Sequence, residues 1–194
     1  MTYRLGLTGS IGMGKSTTAQ MFVDQGCALW DADAAVHRLY AQGGAAVAPM
    51  QAAFPDSIVD GQVSRDHLKQ IITADPSALT QIEATVHPLV AADRSAFIDA
   101  STADITVLDI PLLFETGADA QMDAVVVVST DAATQKDRLM QRAQMAPAQV
   151  QAILDKQMPD AEKRARADYV IETDTLEHAR EQVHSILQQI RAGL

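Results

Sequence analysis

The 194-residue sequence contains no asparagine, only one cysteine (Cys27), and fewer basic than acidic side chains. Each shortage excludes something. A lone cysteine cannot close an internal disulfide and offers no Cys-x-x-Cys pair for metal or redox chemistry, which fits a reducing compartment. With 15 basic against 25 acidic residues the net charge is −10, so the chain is not built to coat nucleic acid or an anionic membrane. Any phosphate it binds must be held locally. The longest valine run, Val125 to Val128, is far too short to span a bilayer, and no basic segment followed by a long apolar one opens the sequence. A cytoplasmic protein with neither a nucleic-acid nor a membrane partner is expected. There is also no internal repeat, low-complexity block or Pro/Gly/Ser linker to divide the chain.

What is present is patterning. Hydrophobic residues make up 47% of the chain, enough for one α/β domain with an insertion or two. Short apolar runs bounded by turn residues recur at Tyr3 to Thr8, Cys27 to Trp30, Ile105 to Ile110, Ala124 to Ser129 and Tyr169 to Ile171. They read as buried parallel strands, and the helical spacing of Ala19/Phe22/Val23, Val150/Ile153/Leu154 and Leu176/Val183/Leu187/Ile190 lies between or after them. The alternation predicts an α/β fold, an open, doubly wound, five-stranded parallel sheet, with its site at the carboxyl ends of the strands.

Two segments exceed what a simple crossover needs. Roughly seventy residues separate Asp33 from the third strand, where a dozen or so would suffice. The apolar sets Leu68/Ile71/Ile72 and Leu79/Ile82/Val86 make this insertion helical, with Asp75-Pro76 as N-cap and first-turn proline. The expected organisation is a single domain, its core about 1–33 and 104–194 and the insertion about 34–103, either a cap over a substrate or a structural elaboration. The second segment, residues 136 to 166, carries seven basic against four acidic side chains. Pro147 is expected to open a short helix and Pro159 to stop it, giving a small lid at about 138–164 that carries cations toward anionic ligands. The alternative, solvated helix faces, fits Lys156 and Arg166 better than Arg138 and Arg142.

The strongest local signal is Gly9-Ser10-Ile11-Gly12-Met13-Gly14-Lys15-Ser16, a match to G-x-x-x-x-G-K-[ST] between a predicted strand and a predicted helix. Such a P-loop turns successive backbone N–H groups, here over Gly9 to Thr17, onto the phosphates of ATP and adds the positive end of a helix. Lys15 is expected on the β- and γ-phosphates and Ser16 on Mg²⁺. Without asparagine the Asn-Lys-x-Asp signature of a guanine-nucleotide switch cannot occur. A small-molecule kinase needs a carboxylate for the acceptor hydroxyl, and Asp31-Ala32-Asp33 ends the second strand. In extended chain, spacing i, i+2 puts both carboxylates on one face. One of the two is expected to cap the following helix and Asp33 to act on the acceptor. Asp109, ending the third strand, suits either a Walker B-type carboxylate that assists Mg²⁺ or an ordinary turn residue. His87 before Pro88 reads from the residues alone as a core histidine at a helix kink; His37 and His67 read as surface residues. Cys27 and Trp30 read as packing residues of strand two.

Taken in order, Leu7 to Gly12 running into the phosphate loop, Asp31-Ala32-Asp33, His87-Pro88, Asp109-Ile110-Pro111-Leu112-Leu113-Phe114-Glu115, Arg138-Leu139-Met140-Gln141-Arg142, Gln157-Met158-Pro159 and Ala167-Asp168 resemble the dephospho-coenzyme A kinase family over nearly the whole chain. The resemblance implies phosphorylation of the ribose 3′-hydroxyl of dephospho-coenzyme A by ATP with Mg²⁺. It also implies that Asp33 is the base or hydroxyl-orienting carboxylate, that Thr8 lines the transfer site, that Arg142 with Arg138 behind it reaches the moving phosphoryl group, and that His87 lies near the acceptor. One departure stands out. Family members often follow the last strand with a loop containing Asn and Gly near adenine, where this chain has Ile171-Glu172-Thr173-Asp174-Thr175. Rival readings are a shikimate- or nucleoside-monophosphate-type kinase, whose triple-glycine substrate motif is absent since Gly43-Gly44 stands alone, and a nucleotide-dependent regulatory module.

Overall fold

The computed structural model describes residues 2–141, 154 and 157–194. Arg142, Lys156 and the helix expected to open at Pro147 lie outside the described residues. The chain divides into two compact units, Met1–Trp30 with Ser101–Leu194, and Asp31–Ala100.

The first unit carries the sheet. Its strands are β1 (Tyr3–Thr8), β2 (Ala28–Asp31), then, after the second unit, β5 (Ile105–Asp109), β6 (Ala124–Ser129) and β7 (Tyr169–Glu172), in the spatial order β2-β5-β1-β6-β7. β1 pairs in parallel with both β5 and β6, and β6 with β7. Every residue of β5 and β6 is buried, which is why these strands read as continuous apolar runs: helices cover both faces of a parallel sheet. Helices α1 (Lys15–Asp24), α6 (Ala132–Gln141), α7 (Asp160–Arg166) and α8 (Leu176–Ala192) flank it. Phe22 of α1, Leu5 and Leu7 of β1, Val126 and Val128 of β6, and Val183 and Leu187 of α8 form one buried cluster. Each such side chain gains roughly 2 kcal/mol from leaving water. β1 is thereby held in the middle of the sheet, and its carboxyl end is a fixed platform for the glycine loop.

The second unit has its own core, built from Leu39, Met50, Val63, Leu68, Ile82 and Val86. Its helices are α2 (Ala32–Tyr40), α3 (Val47–Ala53), α4 (Arg65–Ala74) and α5 (Ala78–Ala100). The sequence predicts helices only, but a two-stranded hairpin, β3 (Ile58–Val59) and β4 (Gln62–Val63), is also present. Asp60 and Gly61, at φ of 50° and 75°, join its strands through a tight turn with both central residues left-handed. Asp75 does not cap α5 directly. It follows α4, and its carboxylate accepts from the Ser77 N–H and hydroxyl in the turn before α5 begins at Ala78.

Candidate active site

β1 hands over to α1 through Gly9 to Gly14. A Cβ on Gly9 would lie 2.6 Å from the Val128 carbonyl oxygen, so the chain can turn this close to β6 only without a side chain. Gly14, the residue before α1, has φ of 93°, a left-handed conformation that L side chains rarely adopt. The first N–H groups of α1 have no acceptor within the helix and face the direction from which an anion would approach its positive end. Ser16 and Thr17 are exposed there, while Ser10 and Met13 are buried.

The loop is fastened at several atoms. The Ile11 N–H donates to Gln157 Oε1 at 3.2 Å, and the Ile11 carbonyl accepts from Gln135 Nε2 at 2.8 Å. The Met13 carbonyl accepts from the Thr173 hydroxyl at 2.7 Å, and Met13 Sδ from the Thr130 N–H at 3.3 Å. Lys15 Nζ pairs with Asp109 Oδ1. Asp109 is 2% exposed at the end of β5, so the ammonium of the loop and the carboxylate of the neighbouring strand meet in a largely dry setting. An aspartate there serving only as a surface turn residue is inconsistent with this burial.

Thr8 differs from the expectation that it lines a transfer site. It is fully buried, and its hydroxyl donates to the Pro111 carbonyl at 3.0 Å, tying the end of β1 to the turn after β5. Arg138 is also specifically engaged, for Nη1 donates to Thr173 Oγ1 at 2.8 Å and Nη2 to the Thr173 carbonyl. Beside it lies a cavity of about 360 Å³, lined among others by Gly12, Gly14, Thr17, Met21, Arg138 and Asp174. The loop that lacks Asn and Gly therefore forms one wall of a cleft against the phosphate loop, and Thr173 pins that wall in place.

The cluster of positive charge at 136–166 resolves into different uses. Arg164 pairs with Glu172 at 3.2 Å, and Arg166 pairs with Asp119 at 2.8 Å while lying 4.4 Å over the Phe114 ring. Lys136 is exposed. Lys163 is the departure: its side chain is 0% exposed and lies 3.0 Å from Glu115 Oε1, neither solvated nor turned to an open cleft. Burial alone would push the Glu115 carboxyl up, but the Met158 N–H and the Lys163 ammonium hold it below its ordinary value. Sequence reasoning passed over Gln135, counted Lys163 only as one of the basic residues of 136–166, and gave Thr173 no role in the loop after the last strand. Helix α7, Asp-Ala-Glu-Lys-Arg-Ala-Arg, has no apolar stripe that would mark Lys163 as its inward residue.

The remaining candidates belong to the second unit. β2 ends at Asp31 and α2 starts at once at Ala32, so Asp33 is in the first helical turn and the same-face argument for an extended pair does not apply. Asp31 takes the capping role, its Oδ1 accepting from the Ala34 N–H at 2.7 Å. Asp33 is exposed. His87 is exposed on α5, which continues through Pro88, so it is not a core histidine. Arg142 lies outside the described residues. Among the described residues no group of three or more His, Cys, Asp or Glu could hold a metal ion, and no helix is long and apolar enough to cross a membrane.

A strand, a glycine turn whose lysine meets a buried aspartate, and a cleft against the last β–α loop are features shared by many phosphate-transferring folds, and comparison with known proteins narrows the field. A shikimate kinase from Acinetobacter baumannii, solved with shikimate, superimposes with a TM-score of 0.54 over 100% of this chain and 95% of its own, but at 17% identity that shows the fold alone. The dephospho-CoA kinase from Campylobacter jejuni superimposes with a TM-score of 0.72 at 25% identity, covering 100% and 99% of the two chains. A dephospho-CoA kinase from Ruegeria pomeroyi is 69% identical over 193 residues, 100% of this chain and 98% of that one. The family model described as dephospho-CoA kinase matches residues 3–178. With that match spanning sheet, phosphate loop and inserted unit alike, the chain belongs to the dephospho-CoA kinase family of P-loop kinases.

Proposed function

We propose that this protein transfers the γ-phosphoryl group of ATP to the ribose 3′-hydroxyl of dephospho-coenzyme A, releasing ADP and coenzyme A. The observation that carries the reading is the phosphate loop, set between β1 and α1 with Lys15 against Asp109, in a chain 69% identical throughout its length to a dephospho-CoA kinase. Backbone N–H groups of the Gly9–Thr17 loop, apart from that of Ile11, which donates to Gln157, cradle the phosphates, and Lys15 exchanges its partner Asp109 for phosphate oxygens. The 360 Å³ cleft beside Arg138 and Thr173 is within the size range of ligand pockets and suits the adenine, read there largely by main-chain groups.

Asp33 is the carboxylate that accepts a hydrogen bond from the 3′-hydroxyl. As the hydroxyl oxygen bonds to the γ-phosphorus, the bond from phosphorus to the β–γ bridging oxygen breaks and the proton passes to Asp33. Phosphoryl transfer of this kind is mostly positioning and charge stabilisation, so a carboxylate that takes the proton late suffices. Arg142, with Arg138 behind it, offers a planar fork to the moving group, and His87 is assigned to the acceptor side. Thr8 contributes by fixing the start of the loop. Mg²⁺ wants hard oxygen donors and few protein ligands when phosphates supply the rest; the exposed Ser16 hydroxyl and the Asp109 carboxylate provide such oxygens, the latter directly or through water. The ion, when bound, would offset the charge of the phosphates. The absence of a long apolar helix among the described residues and the acidic composition support a cytoplasmic enzyme acting on a small molecule.

The reading is tested by following ADP release with dephospho-coenzyme A, AMP and shikimate as separate acceptors. Only the first is expected to raise ADP release above the level seen with ATP alone. Equal turnover of AMP would reject the assignment.

A further inference from the structure

Lys163 is an unusual residue to find with no exposed surface. Its ammonium has two protein acceptors, Glu115 Oε1 at 3.0 Å and the Pro111 carbonyl at 3.3 Å. An ion pair whose ammonium is fully buried is a poor device for stability alone, because taking that charge out of water offsets most of its attraction to Glu115, whose side chain keeps 18% of its surface exposed. Its partners suggest another purpose. The Pro111 carbonyl also accepts from Thr8, the last residue of β1 before the phosphate loop. Glu115 Oε1 also accepts from the Met158 N–H at 2.8 Å. Met158 follows Gln157, whose side-chain oxygen accepts from the Ile11 N–H in the middle of the loop.

These bonds form one circuit within the first unit. It runs from Thr8 to Pro111, through Lys163 to Glu115, along Met158 to Gln157, and back to the loop at Ile11. Gln135 holds the carbonyl of the same residue from α6. We propose that Lys163 and Gln157 are positioning residues for phosphate binding: the buried ammonium fixes Glu115, Glu115 fixes the 157–158 backbone, and Gln157 thereby sets where Ile11, and with it the glycine cradle, sits. Neither residue touches the reacting atoms. The pair is retained for placement of the loop, which an apolar replacement could not supply because it would leave the Met158 N–H and the Gln157 amide unguided. The inference rests on the phosphoryl-transfer reading for its kinetic consequence, but its structural core concerns ATP binding alone.

The test compares wild type, Gln157→Met, Lys163→Met and the double variant of the full chain by calorimetric titration with ATP, thermal unfolding, and steady-state kinetics. Gln157→Met keeps the length of the side chain and removes the acceptor. It is expected to weaken ATP binding about five- to tenfold because Ile11 is no longer held in place, with the melting temperature lowered by only about 2–4 °C and the KM for dephospho-coenzyme A unchanged. Lys163→Met should weaken ATP binding to a similar degree, and the double variant no further than the stronger single one, because both act through one contact. Wild-type ATP affinity in Gln157→Met, or a double variant whose losses multiply, would overturn the proposal. Should Lys163→Met fail to fold, Gln157→Met alone still decides. A wild type that binds ATP but does not turn over dephospho-coenzyme A would sink the functional reading instead, and the titrations would still judge the positioning one.

Discussion

Two aspartates a residue apart show how far a sequence can carry an assignment. Asp31 and Asp33 are equally good helix caps on paper, and the choice depends on where α2 begins. Because it begins at Ala32, Asp31 is the residue whose carboxylate reaches the Ala34 N–H, and Asp33 is left exposed in the first turn with no capping duty. Cys27 is the opposite case, legible at once as a packing residue. It is buried beside the sheet, and burial pushes its thiol up to about 11, with Arg191 opposing and Asp104 reinforcing the shift. The thiolate is the reactive form, so the native protein at pH 8 should resist a maleimide or a disulfide reagent and react promptly in denaturant. Labelling of the native protein as fast as a free thiol would contradict the packing described.

Elements were legible where their physics is local and repeated. All five strands of the large sheet show themselves as short apolar runs, most plainly β5 and β6, in which every residue is buried, and the phosphate loop shows itself because its turns favour glycine. The β3–β4 hairpin was not, for its strands are two residues each; Asp60-Gly61 between Ile58-Val59 and Gln62-Val63 was the available signal. Ties between elements were also invisible. Arg4 on β1 donates from its side chain and its backbone N–H to Asp123, just before β6, and Arg191 of α8 holds Asp104 before β5. The side-chain bond from Arg4 depresses the Asp123 carboxyl below its ordinary value, and that from Arg191 does the same for Asp104. A carboxyl depressed in the folded state contributes stability that is complete above its unfolded value, near 4, and is lost as pH falls through the folded one. Both pairs are partly solvated, so each contributes under about 1 kcal/mol. Urea midpoints measured from pH 6 to pH 3 should therefore fall, and the fall should be shallower in Asp123→Asn. An identical acid slope in that variant would remove the pair from the account.

At the scale of the molecule, the chain answers the problem posed by its own charge. A protein of net charge −10 that binds polyphosphate must gather its positive groups, and it does so in one unit through the loop N–H groups, Lys15 and Arg138, while Arg164 and Arg166 are neutralised by acidic neighbours. The identity of the fold and the phosphate loop could be read from residues, because spacing encodes them. The clamp around Ile11 could not, because Gln135, Gln157, Lys163 and Glu115 come from distant segments and only folding assembles them. The phosphate loop belongs to one unit and Asp33 to the other. Asp33→Asn keeps the size of the side chain and removes its negative charge, and with it the capacity to take a proton. Measured at saturating ATP and dephospho-coenzyme A, the variant should turn over at least about a hundredfold more slowly while ATP titrates it with wild-type affinity. Turnover at the wild-type rate would contradict the account.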